Sequence, residues 1–141
     1  MKENNEQNNN QTPTNGAMTC KVNGTSWTAS LAVVATDENG LLTVTGSDSN
    51  AHQCQVSVFN HTGTGTYSLG GSITNPNLGR WTEGLSQNDT YSTMVGLGSG
   101  TLEITELTAT NVKGTFSFTA KNGAGTEVSV TEGSFDAPIN Q

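Results

Sequence analysis

A chain of 141 residues with 12 acidic and 5 basic side chains, a formal charge of −7, has no basic stripe with which to neutralise phosphates; nucleic acid is not an expected partner, and an anionic membrane surface would repel the chain. At this length a single domain is expected, burying about two thirds of the surface its unfolded chain exposes, which is enough for a core without staples. Hydrophobic residues make up only 31%, but they gather in alternating runs between Gly, Asn, Thr and Ser, and no apolar run reaches the roughly 18 residues of a membrane helix.

Residues 1–17 hold eight Asn or Gln and no apolar side chain between Met1 and Ala17. Such a stretch cannot bury enough surface to offset its ordering entropy, so a disordered polar tether is expected, read either as a spacer or as a ragged terminus. Met1-Lys2 is not followed by the apolar core of a signal peptide, so the chain is expected either to be cytosolic or to begin after a removed leader.

The domain proper is expected over residues 18–138, with 139–141 as a tail. Met18 to Val22 alternates, Asn23-Gly24 is a two-residue turn signal, and Trp27 to Val33 resumes as a strand. Asp37-Glu38-Asn39-Gly40 turns the chain into Leu41 to Gly46; these residues lack the alternating oxygen donors of a calcium loop. Gln53 to Phe59 puts Cys54, Val56 and Val58 on one face and reads as a central strand. Weaker strands follow at Gly63 to Leu69, Arg80 to Thr82 and Tyr91 to Met94, then a clear one at Thr101 to Leu107. Val112 to Ala120 and Glu127 to Phe135, joined through Lys121-Asn122-Gly123-Ala124-Gly125, form the strongest hairpin. No window carries helical periodicity. The expected fold is all-β: a single antiparallel β-sandwich or flattened barrel of about nine or ten short strands. Its core should include Val22, Trp27, Val56, Val58, Ile104, Phe116, Phe118, Val128, Val130 and Phe135.

Chemistry-bearing residues are few. Cys20 and Cys54 both fall on apolar strand faces, which leaves two readings open: a buried cross-strand disulfide, or two separate thiols behaving as small hydrophobes. Two cysteines and two histidines, His52 and His61, without short paired spacing do not make an expected metal site, and no cofactor is expected. No nucleophile motif is present and the carboxylates read as solubilising, so enzyme activity is not expected. Arg80 beside Trp81, with Tyr91 ten positions on, is the one place where a planar cation and apolar plates coincide in a polar, Gly-rich stretch. These three residues are the candidate ligand-binding group, the competing role being a strand aromatic that closes one end of the sandwich.

Val22-Asn23-Gly24 followed by Trp27 and Ala29, then Gly65-Thr66-Tyr67-Ser68-Leu69, Gly114 to Ala120 and Glu132-Gly133-Ser134-Phe135-Asp136 occur in this order. Over about residues 18–138 this pattern resembles a domain of unknown function found in predicted cell-envelope lipoproteins of Bacteroidetes. The motifs are turn glycines and core aromatics, so the resemblance transfers no catalytic residue. It implies an envelope location, periplasmic or surface-exposed at the outer membrane, reached through a lipid anchor that this sequence does not carry. The expected function is a monomeric, non-catalytic domain, either a binding module for a glycan or envelope protein or a structural component without a small ligand.

Overall fold

The computed structural model describes residues 16–140. Period-2 alternation becomes eleven strands and two single-turn 3-10 segments: β1 (Ala17–Val22), β2 (Thr25–Thr28), β3 (Ala32–Glu38), β4 (Leu41–Ser47), β5 (Gln53–Val58), β6 (Gly65–Gly70), β7 (Leu78–Thr82), β8 (Thr90–Ser92), β9 (Ser99–Leu107), β10 (Asn111–Lys121) and β11 (Glu127–Asn140). At Asn23-Gly24 and Asn39-Gly40 both residues take positive φ, 50° and 86° in the first and 56° and 84° in the second. That backbone twist matches the strands it joins, so β1–β2 and β3–β4 are tight hairpins.

Hydrogen bonding runs through β2-β1-β11-β3-β4-β5-β7-β8-β10-β9-β6, and β11 pairs with β10 as well. The strands β11-β3-β4-β5-β7-β8-β10 therefore close a ring, flattened into two layers. One layer is β2-β1-β11-β10-β9-β6; the other is β3-β4-β5-β7-β8. Thin seams join them: Lys121 with Ser92 on one side, and Ile139 and Asn140 with Ala35 and Thr36 on the other.

Three expectations are corrected. The strand count is eleven because the stretch from Trp27 to Val33 is two strands in different layers: Ala29 N–H still donates to Met18 O, whereas Leu31 N–H already donates to Ser47 O. The sheet is mixed, not purely antiparallel, since β11 meets β3 in parallel. Ile139 and Asn140 belong to that seam and are no tail, and Ala17 opens β1; the rest of the expected tether, up to residue 15, lies outside the described residues.

The inward residues of both layers form one core. Val56, Val58, Ile104, Phe116, Phe118, Val128, Val130 and Phe135 are buried in it, as expected, while Val22 and Trp27 pack half-buried against its edge. Phe116 lies between Phe118 and Phe135, with ring centroids 6.2 and 6.1 Å away.

Candidate functional site

Arg80 and Trp81 are consecutive in β7, so a pleated strand sends them to opposite faces. Trp81 points inward and is 3% exposed; its register partner Tyr91 in β8 is 8% exposed. Burial first, then the charges of Glu83 and Asp89, push the Tyr91 phenol up. Arg80 points outward and donates to Gln55 Oε1 across the β5–β7 pair. The three residues predicted to bind together are thus divided between the core and the outer face and do not form one exposed platform.

Around Trp81 the structure assembles a network from Trp27, the β4–β5 connection and His52. Trp27 meets Trp81 edge to face at 5.1 Å, and the His52 ring stacks on Trp81 at 5.6 Å. The Asp48 side chain, 9% exposed, accepts hydrogen bonds from Trp27 Nε1 and His52 Nδ1, each at 2.8 Å, and from the backbone N–H of Asn50 and His52. Burial on its own raises the Asp48 pKa, but four donors outweigh it and hold the carboxyl far below the usual carboxylate range. Asp48-x-Asn50-x-His52 after a strand end is a recognisable Asx-turn signal and could have located this cluster. Chemically it is an oriented carboxylate–imidazole pair; among the described residues no Ser, Thr or Cys side chain is hydrogen-bonded to His52 as a nucleophile would be.

The other histidine is held in one tautomer. His61 Nε2 donates to Asp37 Oδ1 at 2.8 Å while its Nδ1 accepts from Gly63 N–H, tying the β5–β6 loop to the end of β3. Among the described residues no three His, Cys, Asp or Glu side chains converge as metal donors.

A second surface lies on the outside of the six-stranded layer. The pairing registers align Thr66, Glu103, Thr115, Ser134, Thr19 and Thr28 in one row across β6, β9, β10, β11, β1 and β2. The row above begins Ser68, Thr101, Ser117 and ends Lys21, Ser26. Between its halves the β10–β11 ladder is interrupted by a bulge between Phe116 and Phe118, where Glu132 takes φ 51° and its carboxylate meets Lys21 Nζ at 3.4 Å. Above β6, β9, β10 and β11 the layer forms an open depression of about 490 Å³, lined by Thr66, Thr101, Thr115, Ser117 and Ser134, the carboxylates Glu103 and Glu132, and Phe116 and Gly133. Neighbouring strands are about 4.8 Å apart, so hydroxyl and carboxylate groups recur across this face at that interval, the hydroxyls able both to donate and to accept.

Residues 14–137 match the family model described as Domain of unknown function (DUF6252). No curated protein and no solved structure matches the chain.

Proposed function

The chain belongs to the DUF6252 family, and from that premise we propose that it is a non-catalytic binding domain of the cell envelope, presenting the outer face of its six-stranded layer to a glycan. One observation carries this reading: the depression of about 490 Å³ in which five hydroxyl side chains and two carboxylates converge beside a bulge. Hydroxyls both donate and accept, and carboxylates accept from neighbouring sugar hydroxyls, so the lining suits a polyhydroxylated ligand better than an anionic one. The envelope location is proposed from the resemblance to lipoprotein domains, and the non-catalytic role from the use of Asp48 and His52 in holding the two tryptophans.

A second reading, a structural envelope component without small ligand, is favoured by the burial of Trp81 and Tyr91, the aromatics that would otherwise make a sugar platform. A glycan array followed by calorimetry with the best binder separates the two. Glu103→Ala and Thr115→Val are expected to weaken binding at least tenfold, about 1.4 kcal/mol, with the thermal midpoint unchanged because both side chains are exposed. If no glycan is retained, or if Glu103→Ala binds as tightly as the parent chain, the glycan reading falls and the structural one replaces it.

A further inference from the structure

The core contains two thiols that neither the tryptophan network nor the polar face uses. Cys20, 3% exposed, sits on the inner face of β1; Cys54, fully buried, sits on the inner face of β5 in the opposite layer. Their neighbours bring them together. Cys20 is paired with Trp27 and Cys54 with Trp81, and these two indoles are in contact. Cys54 is also paired with Gly46, where an added Cβ would lie 2.7 Å from Met18 Sδ; Met18 and Cys20 are successive inward residues of β1. β1 therefore crosses β4 and β5 with Met18 over Gly46, which brings Cys20 to the side of the core that Cys54 occupies, both as free thiols.

We propose that Cys20 and Cys54 are a redox-active pair that a small disulfide oxidant converts into a disulfide bridging the two layers, with Cys20 attacking first and Cys54 resolving. Access differs between the two sulfurs: Cys20 lines a cavity of about 260 Å³ beside Trp27, rimmed by Lys21 and Glu132, whereas Cys54 is sealed in the core. The hydrogen bond from Cys54 lowers the Cys20 pKa against the opposing effect of burial, and the same bond with burial pushes Cys54 up, so the thiolate forms on the reachable sulfur. The Cys20 thiolate attacks one sulfur of the oxidant, forming a mixed disulfide and expelling one thiolate. Cys54 then attacks the Cys20 sulfur, its proton passing to the departing thiolate; two protein thiols are oxidised and the oxidant's disulfide is reduced to two thiols. This inference is independent of the glycan reading.

The test incubates the folded chain with oxidised glutathione and follows intact mass, thiol alkylation and thermal unfolding. The expected product is lighter by two hydrogens, carries no adduct, resists alkylation, and melts on the order of 10 °C higher because the loop closed between the cysteines is long. Cys54→Ala is expected to stop at a glutathione adduct on Cys20, with no rise in melting temperature. Thiols that stay free in the parent chain, or a parent chain that accumulates the glutathione adduct, would overturn the proposal; these readouts need no variant to fold.

Discussion

Phe118→Ala is expected to lower the unfolding free energy by about 3–5 kcal/mol in denaturant titrations. The ring projects from β10 across the core, 3% exposed, and rests on the backbone of β7 at Gly79, where an added Cβ would lie 2.5 Å from Phe118 Cδ2. Gly79 is itself clamped by Thr93, whose Oγ1 accepts from its N–H and whose own N–H donates to its carbonyl, so β7 cannot retreat from an enlarged neighbour. Gly79→Ala alone is accordingly expected to cost about 1–3 kcal/mol by overpacking. The two changes share one space and should not add: Gly79→Ala placed in the Phe118→Ala background is expected to be nearly neutral. Additive losses in the double variant would mean that ring and glycine do not meet and that β10 does not lie over β7.

Asp48→Ala is expected to cost about 1–3 kcal/mol, because it leaves the part-buried Trp27 indole N–H and His52 backbone N–H without their acceptor. The loss has a pH signature. The folded-state pKa of Asp48 is depressed below its unfolded value near 3.9, so the folded state gains from the charged carboxylate at and above about pH 4 and loses that gain as pH falls toward the folded pKa. Asp48→Asn, which cannot be titrated, is expected to be less stable at neutral pH and to lack this part of the acid-induced decline. Urea midpoints recorded from pH 2 to 7 on both chains check it; parallel curves would mean that the carboxylate is not held by its four donors.

Much of the fold was legible because period-2 alternation and Asn-Gly turns act locally. Phe116, Phe118, Val128 and Val130 announce their faces within a few residues, and Asn23-Gly24 and Asn39-Gly40 fix their hairpins without outside help. The same alternation, applied to Arg80 and Trp81, already forbids a common surface; compositional contrast outweighed it and joined two residues that the pleat separates. What local pattern could not supply was partner choice. Nothing between Trp27 and Val33 marks where the chain leaves one layer for the other, since an exposed Ser30 and Leu31 continue a strand as well as they break one. The Asp48 network and the face-to-face cysteines likewise depend on loops and layers far apart in sequence, and the polar row on the outer face exists only once six registers are known.

The seam made by β11 also sets an order of events during synthesis. This strand is the shared neighbour of β10, β1 and β3, yet it consists of the last residues of the domain to leave the ribosome. Until it emerges, the β1–β2 hairpin has no sheet to join and the β3–β4 hairpin has an open edge, while hydrophobic strands accumulate behind it. Closure must wait for the C-terminal strand to thread between elements more than a hundred positions upstream, a long-range step of the kind that makes β topologies slow to fold. Emergence of β11, more than any local hairpin, is therefore the moment at which this nascent domain commits to its native layers.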